Sequence, residues 1–266
     1  MFSFCKMQAT GNDFVIVDCL KKEFEYSYKL LSEFLCDRHF GVGADGVLFI
    51  EESNIADLKM RIFNKDGSEA KMCGNGIRCF AKYVYEHNIL KKENFKIETI
   101  SGIKDVKLFI EGKTTIKVKI DMGEPEFNQN RKSVIIDNLE FFIVSIGNPH
   151  AVCFVQNLEE INIEKIGRKV ENSKYFPDKT NVEFVEIINE NKIRLKVWER
   201  GVGKTLSCGT GACASSVICN EYKSTKSEIN VDLEGGNLKV YYNKENKKIY
   251  LEGEAKEVFV GKINIW

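Results

Sequence analysis

The sequence has no excess of charge of either sign, and it is poor in proline, histidine and tryptophan. Its 39 Lys and Arg residues balance 39 Asp and Glu residues, and its 266 residues include 3 Pro, 3 His and 2 Trp. A protein that binds nucleic acid or an acidic membrane surface usually carries a basic patch or a basic excess. We therefore expect no nucleic-acid partner for this chain.

Long apolar runs are also absent. The segment from Phe141 to Ile146 is among the longest, whereas a helix that spans a bilayer needs about 20 apolar residues. The N-terminus, with Lys6 and then Gly11-Asn12-Asp13, has no apolar core of a signal peptide. These features predict a cytoplasmic protein that has no membrane partner.

Cysteine, by contrast, is abundant, with nine residues. In a cytoplasmic chain of this length the thiols are expected to be reduced, and most of them to be small buried hydrophobic residues. No two cysteines have the CxxC spacing of zinc knuckles or thiol redox proteins. The cysteines that we expect to pack in the interior are Cys5, Cys19, Cys36, Cys79, Cys153, Cys213 and Cys219.

The two remaining cysteines reveal an internal repeat. A Cys-Gly-x-Gly segment begins at Cys73 and again at Cys208, an offset of 208 − 73 = 135 residues. Further correspondences at or near this offset follow in the same order along the chain. They are Asn12 with Asn148, Gly46 with Asn181, and Asn64 with Glu199. The chain is therefore interpreted as two copies of one unit.

Each copy has the same predicted order of strands and helices. Ile77, Phe80, Ala81 and Val84 have the spacing of an amphipathic helix that follows Cys73. The small residues 212–216 predict a tightly enclosed helix after Cys208, and hairpin-like strands close each copy. This order predicts an α+β fold of two pseudo-symmetric halves, each a mixed or antiparallel sheet wrapped around a central helix. The active site is expected in the cleft between them.

The predicted limits of the halves follow from the repeat. Residues 1–116 form the N-terminal half, and residues 117–254 form the C-terminal half. Residues 255–266 are expected to form a final strand that packs back on the N-terminal half. The boundary falls close to the turn-rich stretch 121–125.

Both repeated cysteines directly precede a glycine-rich turn that opens a helix. Glycine permits the sharp turn and lets a ligand approach the backbone amides. The first amides of a helix have no partner within it and carry the positive end of the helix dipole, so they bind a carboxylate. The same position favours a thiolate, and we therefore expect a lowered pKa for both Cys73 and Cys208.

Internal symmetry is expected to place these two thiols opposite each other. Inversion of a tetrahedral carbon requires that arrangement, because one group removes a proton from one face while another supplies a proton to the opposite face. We therefore predict that Cys73 and Cys208 form a coupled acid–base pair. The alternative, two ordinary buried cysteines, fits a single such turn better than two turns at equivalent positions.

Polar residues accompany both turns. Asn12 and Asn148 follow glycines, and Asn64 and Glu199 each precede a repeated cysteine by nine residues. Asparagine side chains bind both ammonium and carboxylate groups, and Arg200 can hold a carboxylate with two hydrogen bonds. These residues therefore predict a site for a ligand that carries both kinds of group.

The two copies differ at two of these places. His150 corresponds to Phe14, and Glu199 corresponds to Asn64. An ionisable group beside only one of the thiols makes the pair unequal. We therefore predict that His150 and Glu199 modulate the thiols.

These motifs resemble those of the diaminopimelate epimerase family over essentially the full chain, and the two cysteine motifs together are highly specific. The segments that carry the resemblance are Gly11-Asn12-Asp13-Phe14, Phe63-Asn64-Lys65-Asp66-Gly67-Ser68, Met72-Cys73-Gly74-Asn75-Gly76, Gly147-Asn148-Pro149-His150, Asn181-Val182-Glu183-Phe184, Trp198-Glu199-Arg200-Gly201 and Ser207-Cys208-Gly209-Thr210-Gly211. The resemblance implies conversion of LL- to meso-diaminopimelate in the synthesis of lysine and peptidoglycan precursors. It implies no cofactor, neither pyridoxal phosphate nor a metal, and a homodimer whose halves close on a small-molecule substrate, a diamino-dicarboxylic acid.

The resemblance also assigns residues. It implies that Cys73 and Cys208 are the catalytic pair and that His150 and Glu199 modulate the thiols. The implied substrate contacts are Asn12, Asn64, Gly74, Asn75, Asn148, Asn181, Glu199, Arg200, Gly209 and Thr210. One departure is Gly46, where some members carry a polar side chain that touches the substrate.

Other functions fit the sequence less well. A proline or hydroxyproline racemase of the same fold would need a smaller pocket, without Glu199 and Arg200 for a distal amino acid, and a relative that uses one carboxylate would lack the cysteines. A structural zinc module or a redox protein would show CxxC, unlike the spacings Cys73–Cys79 and Cys208–Cys213. Metal content and a thiol-exchange assay distinguish these classes.

Overall fold

The computed structural model describes residues 1–20 and 25–265, and its contacts divide the chain into two compact units. The N-terminal unit comprises Met1–Ile120 and Gly253–Trp266, and the C-terminal unit comprises Asp121–Glu252. Each unit is described by its own strands and helices.

The first part of the chain begins and ends with strands. Its elements are, in chain order, β1 (Phe2–Ala9), β2 (Asn12–Asp18), α1 (Tyr28–Cys36), β3 (Gly46–Glu51), β4 (Leu58–Asn64), β5 (Glu69–Ala70), α2 (Gly74–Glu86), β6 (Asn94–Thr99), β7 (Gly102–Glu111) and β8 (Thr114–Gly123). The elements that follow are β9 (Glu126–Phe127), β10 (Ser133–Ile136), β11 (Leu139–Ser145), β12 (Pro149–Phe154), a 3₁₀ turn (Leu158–Glu160), α3 (Ile163–Glu171), β13 (Asn181–Asn189), β14 (Lys192–Glu199), β15 (Gly203–Thr205), α4 (Gly209–Lys223), β16 (Glu228–Leu233), β17 (Gly236–Asn243), β18 (Lys248–Gly253) and β19 (Lys256–Ile263).

A mixed sheet forms the N-terminal unit. Strands β19, β1, β2, β3, β4, β6, β7 and β8 lie side by side in that order. The pairs β2–β3 and β4–β6 are parallel and the others antiparallel. Parallel neighbours need a crossover, and the helices α1 and α2 lie in these two connections.

The C-terminal unit repeats this plan. Strands β10, β11, β12, β13, β14, β16 and β17 lie side by side, with β12–β13 and β14–β16 parallel and α3 and α4 in the crossovers. Strand β10 lies beside β11 as β19 lies beside β1. The predicted α+β fold with a mixed sheet in each half is therefore confirmed.

The helices α2 and α4 are the central ones. Ile77, Phe80, Ala81 and Val84 of α2 are fully buried, as the amphipathic spacing predicts. In α4 the small residues 212–216 are all buried as well, because strands β11–β14 and β16–β17 pack against this helix. No helix within residues 1–20 and 25–265 has both the length and the apolar character needed to cross a membrane.

The cysteines outside the two turns are packing residues, as predicted, with one exception. Six of them are at most 4% exposed: Cys5, Cys36, Cys79, Cys153, Cys213 and Cys219. Cys19, just past the end of β2, is only partly buried. Burial raises the pKa of Cys36, Cys153 and Cys219 to about 12, so these thiols stay protonated at neutral pH.

Candidate active site

Cys73 and Cys208 occupy the same structural position, the N-cap of a central helix. Cys73 precedes α2 with φ −145° and ψ 117°, and Cys208 precedes α4 with φ −129° and ψ 118°. Each sulfur accepts a hydrogen bond from the amide three residues later, at 3.4 Å from Gly76 N and 3.3 Å from Gly211 N. Both thiols therefore lie at the positive end of a helix dipole.

The second glycine of each motif is closely packed against a side chain of the sheet. A Cβ atom at Gly76 would lie 3.2 Å from Leu48 Cδ2, and one at Gly211 would lie 2.8 Å from Glu183 Oε1. The first turn of each helix thus lies directly against the sheet behind it. Glycine at this position leaves the side chains of Leu48 and Glu183 undisturbed.

Amide side chains surround Cys73. Its thiol donates to Asn12 Oδ1 at 3.7 Å, and the same oxygen accepts from Asn75 Nδ2 at 3.3 Å. Asn75 Oδ1 accepts from Arg78 Nη2 at 2.9 Å, and Asn12 Nδ2 donates to Asp45 Oδ2 at 2.8 Å. The N-terminal unit therefore brings Asn12 and Asn75 together with the thiol, next to the first amides of α2.

Asn64 and Gly46 lie opposite each other on β4 and β3. Asn64 is exposed, and its Nδ2 donates to Ser68 Oγ at 3.0 Å. A Cβ atom at Gly46 would lie 2.8 Å from the carbonyl oxygen of Phe63. The backbone of the neighbouring strand thus crowds the space that a side chain at residue 46 would enter.

A carboxylate and a hydroxyl group adjoin Cys208. The Glu199 carboxylate accepts from Thr205 Oγ1 at 2.6 Å, and its negative charge acts on the Cys208 thiol. Thr210 Oγ1 lies 3.4 Å from Cys208 Sγ. The surroundings of Cys208 are therefore more acidic than the amide contacts described for Cys73.

Burial and negative charge raise the pKa of Cys208 well above its usual range. Burial is the largest cause, followed by the charges of Glu199 and Glu183, whereas the hydrogen bonds from Thr210 and Gly211 act in the opposite direction. The lowered pKa expected from the helix N-terminus is therefore wrong for Cys208. The helix amide is in place, but desolvation and two nearby carboxylates outweigh it.

Asn148, directly before β12, and His150, on β12, link the start of this strand to the Cys208 thiol. Asn148 Nδ2 donates to Thr210 Oγ1 at 3.4 Å, and Asn148 Oδ1 lies 3.0 Å from His150 Nε2. His150 is fully buried on β12, and its Nδ1 lies 2.7 Å from Glu183 Oε1. His150 therefore reaches Cys208 through other side chains.

Asn181 fixes the turn that carries Arg200. Its Nδ2 donates to the Pro149 carbonyl at 2.9 Å, and its Oδ1 accepts from the Arg200 amide at 3.0 Å. The Arg200 side chain is exposed, and its Nη1 donates to the Asp178 carbonyl at 3.4 Å. Asn181 thus orients the backbone, while the Arg200 guanidinium reaches solvent.

Glu171, at the end of α3, holds the same turn from the other side. Its Oε2 accepts from Trp198 Nε1 and its Oε1 from the Gly201 amide, both at 2.8 Å. Burial raises the pKa of Glu171, but these hydrogen bonds and the charge of Lys179 outweigh it, so the net pKa lies below its usual range. The ionised carboxylate therefore stabilises the folded protein.

We expect Glu171→Gln to lower the free energy of unfolding by about 2 kcal/mol at pH 7, because the amide replaces a charged acceptor of two hydrogen bonds. A carboxyl group whose pKa is lower in the folded protein than in the unfolded chain contributes to folding stability. That contribution is complete above the unfolded pKa of about 4.3, and it is lost as the pH falls through the lower folded pKa. The difference in the free energy of unfolding between the native protein and Glu171→Gln should therefore shrink below about pH 4. Urea unfolding at pH 7 and in acid measures it, and a difference that stays constant across this range would contradict the assignment.

Three residues of this arrangement were not predicted from the sequence: Glu183, Arg78 and Asp45. Glu183 lies two residues after Asn181 on β13, so strand alternation places both on one face, and that signal was available. Arg78 is fully buried although it lies among the polar positions of an amphipathic helix. Nothing in the sequence pattern indicates its burial.

One group of side chains has the composition of a metal site. The ligand atoms of Cys5, His87 and Glu257 lie within 4.8 Å of one another in the described part of the chain. This group includes neither Cys73 nor Cys208.

Solved structures share this fold at low sequence identity. A phenazine biosynthesis protein of the PhzF family from Bacillus anthracis superposes with a TM-score of 0.77 at 20% identity, covering 99% of both chains. A probable proline racemase from Agrobacterium radiobacter superposes with a TM-score of 0.74 at 13% identity, covering 100% of this chain and 93% of the other. At such identities the likeness establishes the fold alone.

Other proteins are much more similar to this chain in sequence. The diaminopimelate epimerases of Methanococcus maripaludis and Caldanaerobacter subterraneus are each 44% identical to this chain, covering 98% of it and 99% of their own length. The family model for diaminopimelate epimerase matches residues 4–128 and 142–258. Both repeated cysteines lie within the matched residues, and the chain belongs to the diaminopimelate epimerase family.

Proposed function

We propose that this protein is an isomerase that inverts one α-carbon of LL-2,6-diaminopimelate to give the meso isomer, in the synthesis of lysine and peptidoglycan precursors. The observation that carries the proposal is the equivalent N-cap position of Cys73 and Cys208 in two repeated units. The family membership supports the same substrate. The reaction uses no cofactor in this proposal.

The proposed chemistry uses one thiol on each face of the substrate carbon. One cysteine, as thiolate, removes the α-proton, and the other, as thiol, delivers a proton to the opposite face. In the reverse reaction the two exchange roles. The negative charge of Glu199 favours the protonated form of Cys208, and His150 acts on the same thiol through Asn148 and Thr210.

The proposed substrate contacts form two groups, one for the reacting end of the substrate and one for its distal end. The helix amides that follow each cysteine suit the carboxylate at the reacting carbon, because they carry partial positive charge. Arg200 and the asparagines suit the distal amino acid, which also bears a carboxylate and an ammonium group. The residues assigned to these contacts are Asn12, Asn64, Gly74, Asn75, Asn148, Asn181, Glu199, Arg200, Gly209 and Thr210.

Deuterium incorporation tests the proposed function directly. The purified protein is incubated with LL-diaminopimelate in deuterium oxide without added cofactor, and both deuterium at the α-carbon and the meso isomer are measured. Inversion accompanied by exchange supports the proposal. No exchange with diaminopimelate, together with racemisation of proline, would assign the chain to another reaction. Inactivity on both substrates, with stoichiometric metal bound, would rule out an acid–base role for the thiols.

We also propose that the protein is cytoplasmic and forms a homodimer. Strand β19 exposes three consecutive apolar residues, Val258, Phe259 and Val260, which are 54%, 46% and 61% exposed. An exposed apolar strand favours association unless it is covered, and a second copy of the chain offers the same surface for a two-fold contact.

The mass in solution tests the proposed dimer. Light scattering after gel filtration should give about twice the 30.4 kDa of one chain. Val258→Asp should shift the mass to that of the monomer, because a buried carboxylate is costly. Ile135→Asp is the matched control, since Ile135 is 69% exposed on β10, the strand that corresponds to β19 in the other unit. A monomeric native protein would contradict the proposal.

A further inference from the structure

Glu183 and His150 form a fully buried pair in the C-terminal unit. Both side chains are 0% exposed, and Glu183 Oε1 lies 2.7 Å from His150 Nδ1. The other carboxylate oxygen, Glu183 Oε2, is buried without a hydrogen-bond partner among the described residues. Burying ionisable groups is costly, so stability alone does not account for this pair.

A chain of side-chain contacts links the pair to Cys208. His150 Nε2 lies 3.0 Å from Asn148 Oδ1, and Asn148 Nδ2 donates to Thr210 Oγ1 at 3.4 Å. Thr210 Oγ1 lies 3.4 Å from Cys208 Sγ. The orientation of His150 set by Glu183 is thus transmitted to the hydroxyl group beside the thiol.

Glu183 also packs directly against the turn that carries this thiol. Its Oε1 lies 2.8 Å from the position of a Cβ atom on Gly211, whose amide donates to Cys208 Sγ. The carboxylate therefore lies beneath the first turn of α4. From there its negative charge acts on the thiol as well as on the imidazole.

The N-terminal unit has an apolar pair at the equivalent positions. Phe14 pairs with Gly46 between β2 and β3, as His150 pairs with Asn181 between β12 and β13. Leu48 lies two residues after Gly46, as Glu183 lies two residues after Asn181. A Cβ atom on Gly76 would lie 3.2 Å from Leu48 and 3.6 Å from Phe14. The ionisable pair therefore distinguishes one half of the repeat from the other.

On the basis of the proposed function, we propose that Glu183 is a positioning residue that keeps Cys208 protonated in the resting enzyme. It does so through its buried negative charge, which lies beneath the first turn of α4. Cys208 then enters the first turnover as the acid.

The groups that face Cys208 come from four elements. Glu199 on β14 and Glu183 on β13 are acidic, His150 on β12 is basic and paired with Glu183, and α4 supplies the Gly211 amide. Burial, Glu199 and Glu183 together raise the pKa of Cys208.

Alkylation of individual thiols as a function of pH tests the proposal. The full-length protein is treated with iodoacetamide from pH 6 to pH 10, and mass spectrometry follows the peptides that contain Cys73 and Cys208. Glu183→Gln keeps the shape of the side chain and removes its charge. A nearby charge shifts a pKa by about one unit or more. One unit gives tenfold more thiolate but a weaker nucleophile, so the Cys208 rate should rise about threefold at pH 8.

Matched variants separate charge from packing. Glu190→Gln makes the same chemical change at an exposed position of the same unit and should leave the Cys208 rate unchanged. The double variant Glu183→Leu, His150→Phe installs the apolar pair of the N-terminal unit and should also speed Cys208. The buried thiol of Cys213, in the same helix, should stay unlabelled in every variant, because its labelling would report opening of the structure.

Unchanged Cys208 alkylation in both Glu183 variants would overturn the proposal. It would also be overturned if Cys73 accelerated equally. Epimerisation by the native protein is measured in the same preparations. The alkylation assay needs no substrate, so failure of the proposed function appears in the native activity alone.

Discussion

Cys208→Ala is expected to lower the rate of epimerisation about 10³-fold or more, because a positioned acid–base group contributes about 10²- to 10⁴-fold and inversion needs one on each face. The side chain lies at the N-cap of α4, where the Gly211 amide donates to its sulfur at 3.3 Å. Cys73→Ala should have an effect of the same order, because Cys73 occupies the equivalent position on α2.

The measurement is formation of meso-diaminopimelate from the LL isomer, followed by chiral chromatography. Cys219→Ala and Cys79→Ala are the matched controls, because each removes a fully buried thiol from the same helix as one of the proposed pair. Both controls should keep activity of the native order. A Cys208→Ala protein that retained a tenth of the native rate would contradict the two-thiol mechanism, and so would controls that lost as much activity as the variants.

The second large effect is expected at Arg78. This side chain is fully buried, and it donates to Asn75 Oδ1 at 2.9 Å, Thr10 Oγ1 at 3.1 Å and the Glu254 carbonyl at 3.2 Å. Arg78→Met should lower the free energy of unfolding by about 3–5 kcal/mol, because it leaves several buried acceptors without their donor. Arg78→Lys should lose less, since it keeps the charge but not the planar array of donors.

Urea unfolding at pH 7 measures these changes. Arg38→Met is the control, because the Arg38 side chain is 60% exposed and its ion pairs with Asp13 and Asp45 lie at the surface. Surface pairs of this kind contribute about 1 kcal/mol or less. If Arg78→Met proved no more destabilising than Arg38→Met, the buried guanidinium would not have the stabilising role assigned to it.

Local pattern explains why much of the fold could be predicted. The repeat at an offset of 135 residues located both cysteine turns, and the glycines after them indicated the helices that begin there. The amphipathic spacing from Ile77 to Val84 correctly predicted a buried helical face. The helix signals depend on residues close together in the sequence, and the repeat is visible by comparing the chain with itself, so both can be inferred from a single chain.

The features that could not be predicted depend on contacts between residues far apart in the chain. Glu183 meets His150 because β12 and β13 are parallel neighbours, although 33 residues separate the two side chains. The helix N-terminus alone predicted a lowered pKa for Cys208, but the carboxylates that raise it come from two other strands. The assignment of the substrate contacts, and the limits of the halves at residues 116 and 254, stay predictions.

The pairing of β19 with β1 has a consequence for how the chain folds. The first strand of the N-terminal unit pairs with a distant segment of the chain, since Phe2 lies opposite Ile263, 263 − 2 = 261 residues away. During synthesis that sheet cannot be completed until β19 (Lys256–Ile263) has left the ribosome, whereas Asp121–Glu252 is continuous and is released earlier. The N-terminal unit, whose synthesis begins first, is therefore the one that finishes folding last.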